Sequence, residues 1–314
     1  MEIRQILFLI ILIQFGCGNK ISKHYKYVNK ANEHLINKDF KSAFNNFEKA
    51  DKIKNSLLFQ FNLNAYLTSC FSGEDADKQN KYFTRVLDHL DCKNYVDLLS
   101  SKRSIVFEHV KDKSFQDKNL SSIYLDSLLE RDQFNRNTIT FIEKKKRDSL
   151  HLLNFIQFSK EKGFPHEFNT RINCFTSGTG SDLYRLNLLL VHFRGFENIS
   201  LDSLLQNEFV RFKISPEIFA NCNSRVRNLT KFSYCFLFIN ETLYINDFTL
   251  KNKSKINKTR EEYGIPSIKL EYLLIKNQSA LQQMGFLINV KRDYVNLPNV
   301  PDGFVSEDIF KNML

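Results

Sequence analysis

The sequence predicts a mainly α protein: helical hairpins near the N-terminus, then a mostly helical domain with one small β-hairpin. Three observations carry this. Only 10 Gly and 5 Pro occur in 314 residues, too few to punctuate a chain rich in turns. Apolar residues recur at helical spacing through most of the length. Two short segments around Asn240-Glu241, residues 232–238 and 242–247, read as a hairpin instead. A hydrophobic share of 42%, with 30 Phe, supplies core enough for two ordinary domains and excludes wholesale disorder.

The first element is Ile6–Phe15, an apolar run broken only by Gln14 and preceded by Arg4. It is shorter than the ~20 apolar residues that span a bilayer, and it has the basic start and short apolar body of a secretory signal. Gly16 and Cys17 follow. A small residue directly before a cysteine is what a lipoprotein signal peptidase cuts, so residues 1–16 resemble a lipoprotein signal. Gln14 and Phe15 depart from the usual lipobox. The resemblance implies diacylglycerol on the thiol of Cys17 and an acyl chain on its freed amine. It also implies a tether over 17–24 and an address in the envelope of a Gram-negative bacterium, at the outer membrane in preference to the inner. Several acyl chains hold a soluble body stably to a bilayer.

From Tyr27 the sequence reads YVNKANEHLINKDFKSAFNNFEKADKI. Ala31, Ala43 and Ala50 are small residues where two helices cross closely. Tyr27, Phe40, Phe47 and Ile53 fill the holes between them, and the turn falls at Asn37-Lys38-Asp39. This resembles a tetratricopeptide repeat, whose period is about 34 residues. A degenerate second unit follows: a helix over Phe61–Ser72, a turn at 73–75, and a helix over Ala76–Leu90, with Gln79 and Val86 at the expected alanine positions. Residues 94–118 also read as helical and would cap the stack. The repeats span 25–118. Their resemblance implies a concave face that binds proteins.

A composition shift at 117–119 marks the next boundary. Leu120–Lys146 reads as one long helix. Asp148 then caps a helix that ends at Gly163, with Pro165 as the stop. Ser181–Phe193, Leu201–Phe212 and Pro216–Leu229 continue the helical pattern, as do Lys255–Tyr263 and Ser267–Lys276. The domain spans 119–280, and 281–314 is a C-terminal extension of undetermined structure.

Several polar motifs punctuate this half: Asp132-Gln133-x-x-Arg136, Gly163-Phe164-Pro165, a helix ending in His192, Ser224-Arg225, and Arg260 within NKTREEYGIPS (257–267). In order and spacing they resemble a family of uncharacterised bacterial domains. That family has DQxxR, then G-W/F-P, a helix ending in His, an Asp-Arg pair, and R-x-x-x-G-L-P. Such domains often follow tetratricopeptide-like repeats in secreted or lipidated proteins, and no established activity comes with the resemblance. Ser224 departs from the family's Asp, and the Gln- and Gly-containing segment expected soon after reads FSYCFLF. Chemically, Asp132 suits a general base or ligand, His192 an acid–base group, and the arginines an anion clamp. The expected catalytic set is Asp132, Arg136 and His192, and the expected anion contacts are Arg225 and Arg260. Gly178–Asp182 before a helix lacks the lysine and the preceding strand of a phosphate loop, and reads as a capping loop.

Six Cys leave an odd number once Cys17 is acylated, so no disulfide framework is expected. No Cys/His cluster has zinc spacing, and neither metal nor cofactor is expected. The net charge is +10, and loss of Glu2 and Arg4 with the signal leaves it unchanged. Such a surface meets nucleic acid, anionic lipid or an acidic partner. An envelope address removes nucleic acid. With no Trp, any stacking platform uses Phe or Tyr. The leading expectation is a membrane-anchored lipoprotein that binds a protein partner of undetermined identity through its helical repeats. The alternative is a hydrolase-like envelope enzyme built on Asp132, Arg136 and His192.

Overall fold

The computed structural model describes residues 3–56, 58–87, 120–165, 186, 189–190, 192–193, 196, 199–231, 235–239, 242–288, 293–295, 300 and 302–314, with backbone alone over 3–19, 120–122 and 293–295. The helices expected over 94–118 and the loop at 178–182 lie outside these residues, as does the side chain of Cys17. The protein is mainly α with a small sheet. No helix among the described residues is long and apolar enough to cross a membrane. Backbone contacts divide the chain into two compact units, one of residues 1–55 with 225–314, the other of 56–224.

In the first unit, α1 (Ile3–Ile36) and α2 (Phe40–Ile53) form a hairpin. α1 runs unbroken through the segment expected to be a tether. The turn sits at the expected place. Lys38 takes φ 58°, and Asp39 accepts from the Ser42 amide, satisfying a free donor of α2. Ala31, Ala43 and Ala50 are fully buried and Phe47 nearly so, as close helix crossing requires, while Tyr27 is half-buried with the Lys49 ammonium 6.0 Å from its ring centre. His24 is buried on the same face. Its Nδ1 lies 2.9 Å from the Ala50 carbonyl, so that nitrogen carries the proton.

The partners of this hairpin come from the far end of the chain. α1 packs on α11 (Lys253–Glu262) and α12 (Ile268–Gln283). Ser22 donates to the Glu261 carbonyl and Asn29 to that of Gly264. Gly264 has φ 71°, and a Cβ there would lie 2.5 Å from Cβ of Tyr25, so only glycine lets the two segments meet. Phe40 stacks on Phe286 with ring centres 6.1 Å apart.

The expected hairpin is β1 (Phe236–Ile239) with β2 (Thr242–Asn246), antiparallel, Phe236 opposite Ile245. The extension adds β3 (Asp293–Val295), parallel to β1, and β4 (Phe304–Ser306), antiparallel to β2, giving the order β3-β1-β2-β4. Short helices α10 (Asp247–Lys251) and α13 (Glu307–Phe310) flank the sheet. Leu243, Ile245, Leu250, Ile256, Ile268 and Phe310 form a shared core. Within it lies Arg260, fully buried. Its Nε donates to the Pro266 carbonyl at 2.6 Å, its Nη1 to Cys235 Sγ at 3.1 Å, and its Nη2 to Glu271. Burial pushes the Cys235 thiol up to about 12, so this cysteine is an inert core group.

In the second unit, α3 (Phe59–Phe71) and α4 (Ala76–Leu87) form the second expected hairpin, turning through Gly73 at φ 71°. α3 is buried almost all round, and Tyr66 meets Phe83 with ring centres 5.0 Å apart. The two hairpins belong to different units.

The helix expected over 120–146 is two helices, α5 (Leu120–Gln133) and α6 (Phe141–Lys162). Asn135 takes φ 52°, and Thr140 starts α6 through a reciprocal capping box with Glu143. Asp148 is therefore inside a helix, not its cap. α6 ends at Gly163 as expected. Tyr124 stacks on Phe158 at 3.8 Å, and Phe155 meets Phe164 and Phe193 at 5.6 Å each. α7 (Ile199–Val210) packs on α8 (Pro216–Cys222) through Phe209 on Phe219, ring centres 4.2 Å apart. The helix expected over 216–229 breaks at Asn223 into α8 and α9 (Ser224–Thr230).

One pH effect follows from His24. Burial outweighs the raising influences of the Ala50 carbonyl and the nearby Asp51, and lowers its pKa from 6.5 to about 4. Between those values the unfolded chain binds a proton that the native chain does not. Stability therefore falls as pH drops from 6.5 towards 4, by about 3 kcal/mol, and this loss is absent above 6.5. Urea melts across that interval should flatten in His24→Asn, whose amide reproduces the Nδ1 donor. An unchanged slope would place the titration elsewhere.

Candidate functional site: a buried aspartate shared by two histidines and an arginine

Asp132 sits on the last turn of α5 and is fully buried. The break that follows α5 lets the chain return, so Arg136 reaches back four residues and α6 runs alongside. Arg136 Nη1 donates to Asp132 Oδ1 at 3.1 Å and to Asp148 Oδ1 at 2.7 Å, and Nη2 donates to Asp148 Oδ2 at 3.0 Å. Its pairing with Asp148 is thus bidentate, the geometry a guanidinium favours. Gln133 donates to Asp132 Oδ2 at 2.6 Å. Arg147, one residue before Asp148, donates to the Phe134 carbonyl and braces the turn.

Two imidazoles complete the cluster. His192 is helical, and its Nδ1 lies 2.8 Å from Asp132 Oδ2. A carboxylate only accepts, so this nitrogen carries the proton and Nε2 keeps its lone pair in the neutral ring. The His192 side chain retains 17% of its surface. His151, one helical turn beyond Asp148 on the same face of α6, places Nδ1 3.5 Å from Asp132 Oδ1. That is too long for a full hydrogen bond, and this buried nitrogen has no partner among the described residues.

Burial favours the neutral form of the Asp132 carboxyl. The imidazoles of His151 and His192 beside it, with the charges of His192 and Arg136, outweigh that and hold it well below the ordinary range. It is ionised at neutral pH. Arg136 is held charged above its ordinary value, chiefly by its bonds to Asp148.

Chemically, Asp132 fixes the orientation and tautomer of His192, leaving Nε2 as a proton acceptor. Arg136 keeps its Nε hydrogen and one Nη2 hydrogen beyond the bonds it makes to the two carboxylates. Asp132, Asp148 and His192 could also bind a cation, since one ligand atom of each lies within 4.8 Å of the others. Arg136 already supplies the positive charge between the two carboxylates, however, and a metal ion would have to displace it.

The expected catalytic set Asp132, Arg136 and His192 is thus brought together. The expected anion contacts are not. Arg260 belongs to the core of the other unit, with its guanidinium engaged and no surface, so it cannot clamp a solvent anion. Arg225 is exposed on α9 and belongs to the other unit as well. Ser224, next to Arg225, is tied to a neighbouring helix. Its hydroxyl donates to Asp202 at 2.7 Å, where an aspartate would meet like charge. Sequence reasoning missed Asp148 and His151. Their i, i+3 spacing on one helix face was the available signal.

No family model, no curated protein and no solved structure matches the chain.

Proposed function

We propose that the chain is an acylated cell-envelope protein, anchored through Cys17, whose 56–224 unit is a hydrolase-like acid–base centre. His192 is the proton carrier, Asp132 its positioning carboxylate, and Arg136 the polarising cation. The observation that carries this reading is the single ionised carboxylate of Asp132, bonded to His192 on one oxygen and Arg136 on the other. A dyad of this kind leaves Nε2 poised to take a proton from water or a hydroxyl.

The purified chain should hydrolyse at least one member of a panel of chromogenic esters, phosphoesters, amides and glycosides. His192→Ala should slow it about 10²–10⁴-fold without unfolding the chain. A rate untouched by His192→Ala, or no turnover on any of the panel, sinks the enzymatic reading. The anchor has its own test. A clickable palmitate analogue fed to expressing cells should label the chain and not its Cys17→Ser variant.

Protein binding through the tetratricopeptide-like hairpins is the second reading. The close packing at Ala31, Ala43 and Ala50 favours it. The docking of α1 on α11 and α12 narrows the face left for a partner.

A further inference from the structure

The segment that builds the polar centre also carries large apolar side chains into solvent. Phe134 is 67% exposed, Phe141 70%, Ile142 67%, and Leu150 and Leu153 58% each. Scattered exposed leucines need no explanation, but a run of them along one element does. On α6, Ile142, Lys146, Leu150 and Leu153 follow one another at i, i+4, i+8 and i+11. They form one stripe on the side of the helix away from Asp148 and His151.

The same stretch is basic. Lys144, Lys145, Lys146 and Arg147 are consecutive, and the Lys145 ammonium lies 4.9 Å from the ring centre of Phe141. Of the acids beside the stripe, Glu143 is held by the Thr140 cap and Glu161 by Gln157.

We propose that this face of α6 docks on an anionic lipid surface. Two arguments choose lipid over protein. Apolar side chains interleaved with lysines, with no unengaged acid among them, complement the acyl boundary and the phosphates of a headgroup layer together. And an acyl anchor at Cys17 would keep the chain within reach of such a surface, where a basic patch supplies the second membrane signal. The docking does not depend on the hydrolytic reading, but it would set the polar centre beside the lipid–water boundary.

The chain contains no Trp, so one can be introduced as a sole reporter. Leu150→Trp is mixed with vesicles of phosphatidylglycerol and phosphatidylethanolamine that carry brominated acyl chains. Its emission should shift blue and be quenched, and high salt should reverse both. Lys145→Gln with Lys146→Gln should weaken the salt-sensitive binding about 30-fold. If the indole of Leu150→Trp stays unquenched on vesicles that nonetheless carry the chain, the proposal is overturned, and the contact lies elsewhere in the chain. Equal, salt-insensitive quenching in phosphatidylcholine overturns it too. A blue shift that grows with protein concentration in the absence of lipid gives the face to a second copy of the chain. Because no substrate is involved, none of these outcomes turns on whether His192 is catalytic.

Discussion

Arg260→Ala is expected to destabilise the unit of residues 1–55 and 225–314 by about 3–5 kcal/mol. Arg260 is wholly buried, and its partner Glu271 nearly so. Truncation would take the guanidinium away from the Glu271 carboxylate in the core and remove the donor that bonds the Pro266 carbonyl and the Cys235 sulfur. The cost lies in keeping the Glu271 charge buried without its cation more than in the lost attraction, since the attraction already offsets the desolvation of both ions. The double variant Arg260→Met, Glu271→Met should therefore recover most of the loss. Hydrogen exchange at the β1 and β2 amides reads this unit without relying on a global two-state transition. A loss below about 1 kcal/mol would mean that water reaches Glu271.

Asp132→Ala should cost the other unit a similar amount, about 3–5 kcal/mol. It removes the acceptor of His192 and Gln133 and leaves part of the Arg136 charge without its partner. Asp132→Asn preserves shape and separates charge from volume. The acid limb adds a second readout. The folded pKa of Asp132 lies below that of the unfolded chain, so its contribution is present above about pH 4 and is lost as pH falls further. In Asp132→Asn, stability should fall less steeply below pH 4 than in the parent. An identical acid limb would mean that the native carboxyl titrates normally and that the network is held by Arg136 and Asp148 alone.

The sequence disclosed local features and hid distant ones. The turn at Asn37–Asp39, the hairpin around residue 240 and the stop at Gly163 were all legible, because each is set by residues within one turn of it. Leu120–Lys146 misread as one helix because its apolar spacing runs on past Gln133. The left-handed Asn135 and the Thr140-x-x-Glu143 box override that spacing, and the box was there to be found. Misplacing that boundary turned Asp148 from a buried partner of Arg136 into a cap, and His151 went unremarked one turn beyond it. Arg260 failed for a different reason. Nothing in NKTREEYGIPS reveals whether an arginine faces water or Glu271, because the answer lies in how α11 folds on α12. The docking of α1 at Gly264 was equally out of reach, since it joins residues more than two hundred positions apart.

Gly264 against Tyr25 has a consequence for how the protein is made. A ribosome releases α1 and α2 long before it has synthesised the segment they rest on, and residues 56–224 emerge in between. Through that interval the N-terminal hairpin holds unburied apolar surface, and with a lipoprotein signal it would do so while being threaded across a membrane. Making the contact at Gly264 closes a loop of more than two hundred residues, at an entropic cost that grows only with the logarithm of its length. α1 thus meets its packing partners only late in synthesis. A chain cut short at its C-terminus loses the surface that receives Tyr25.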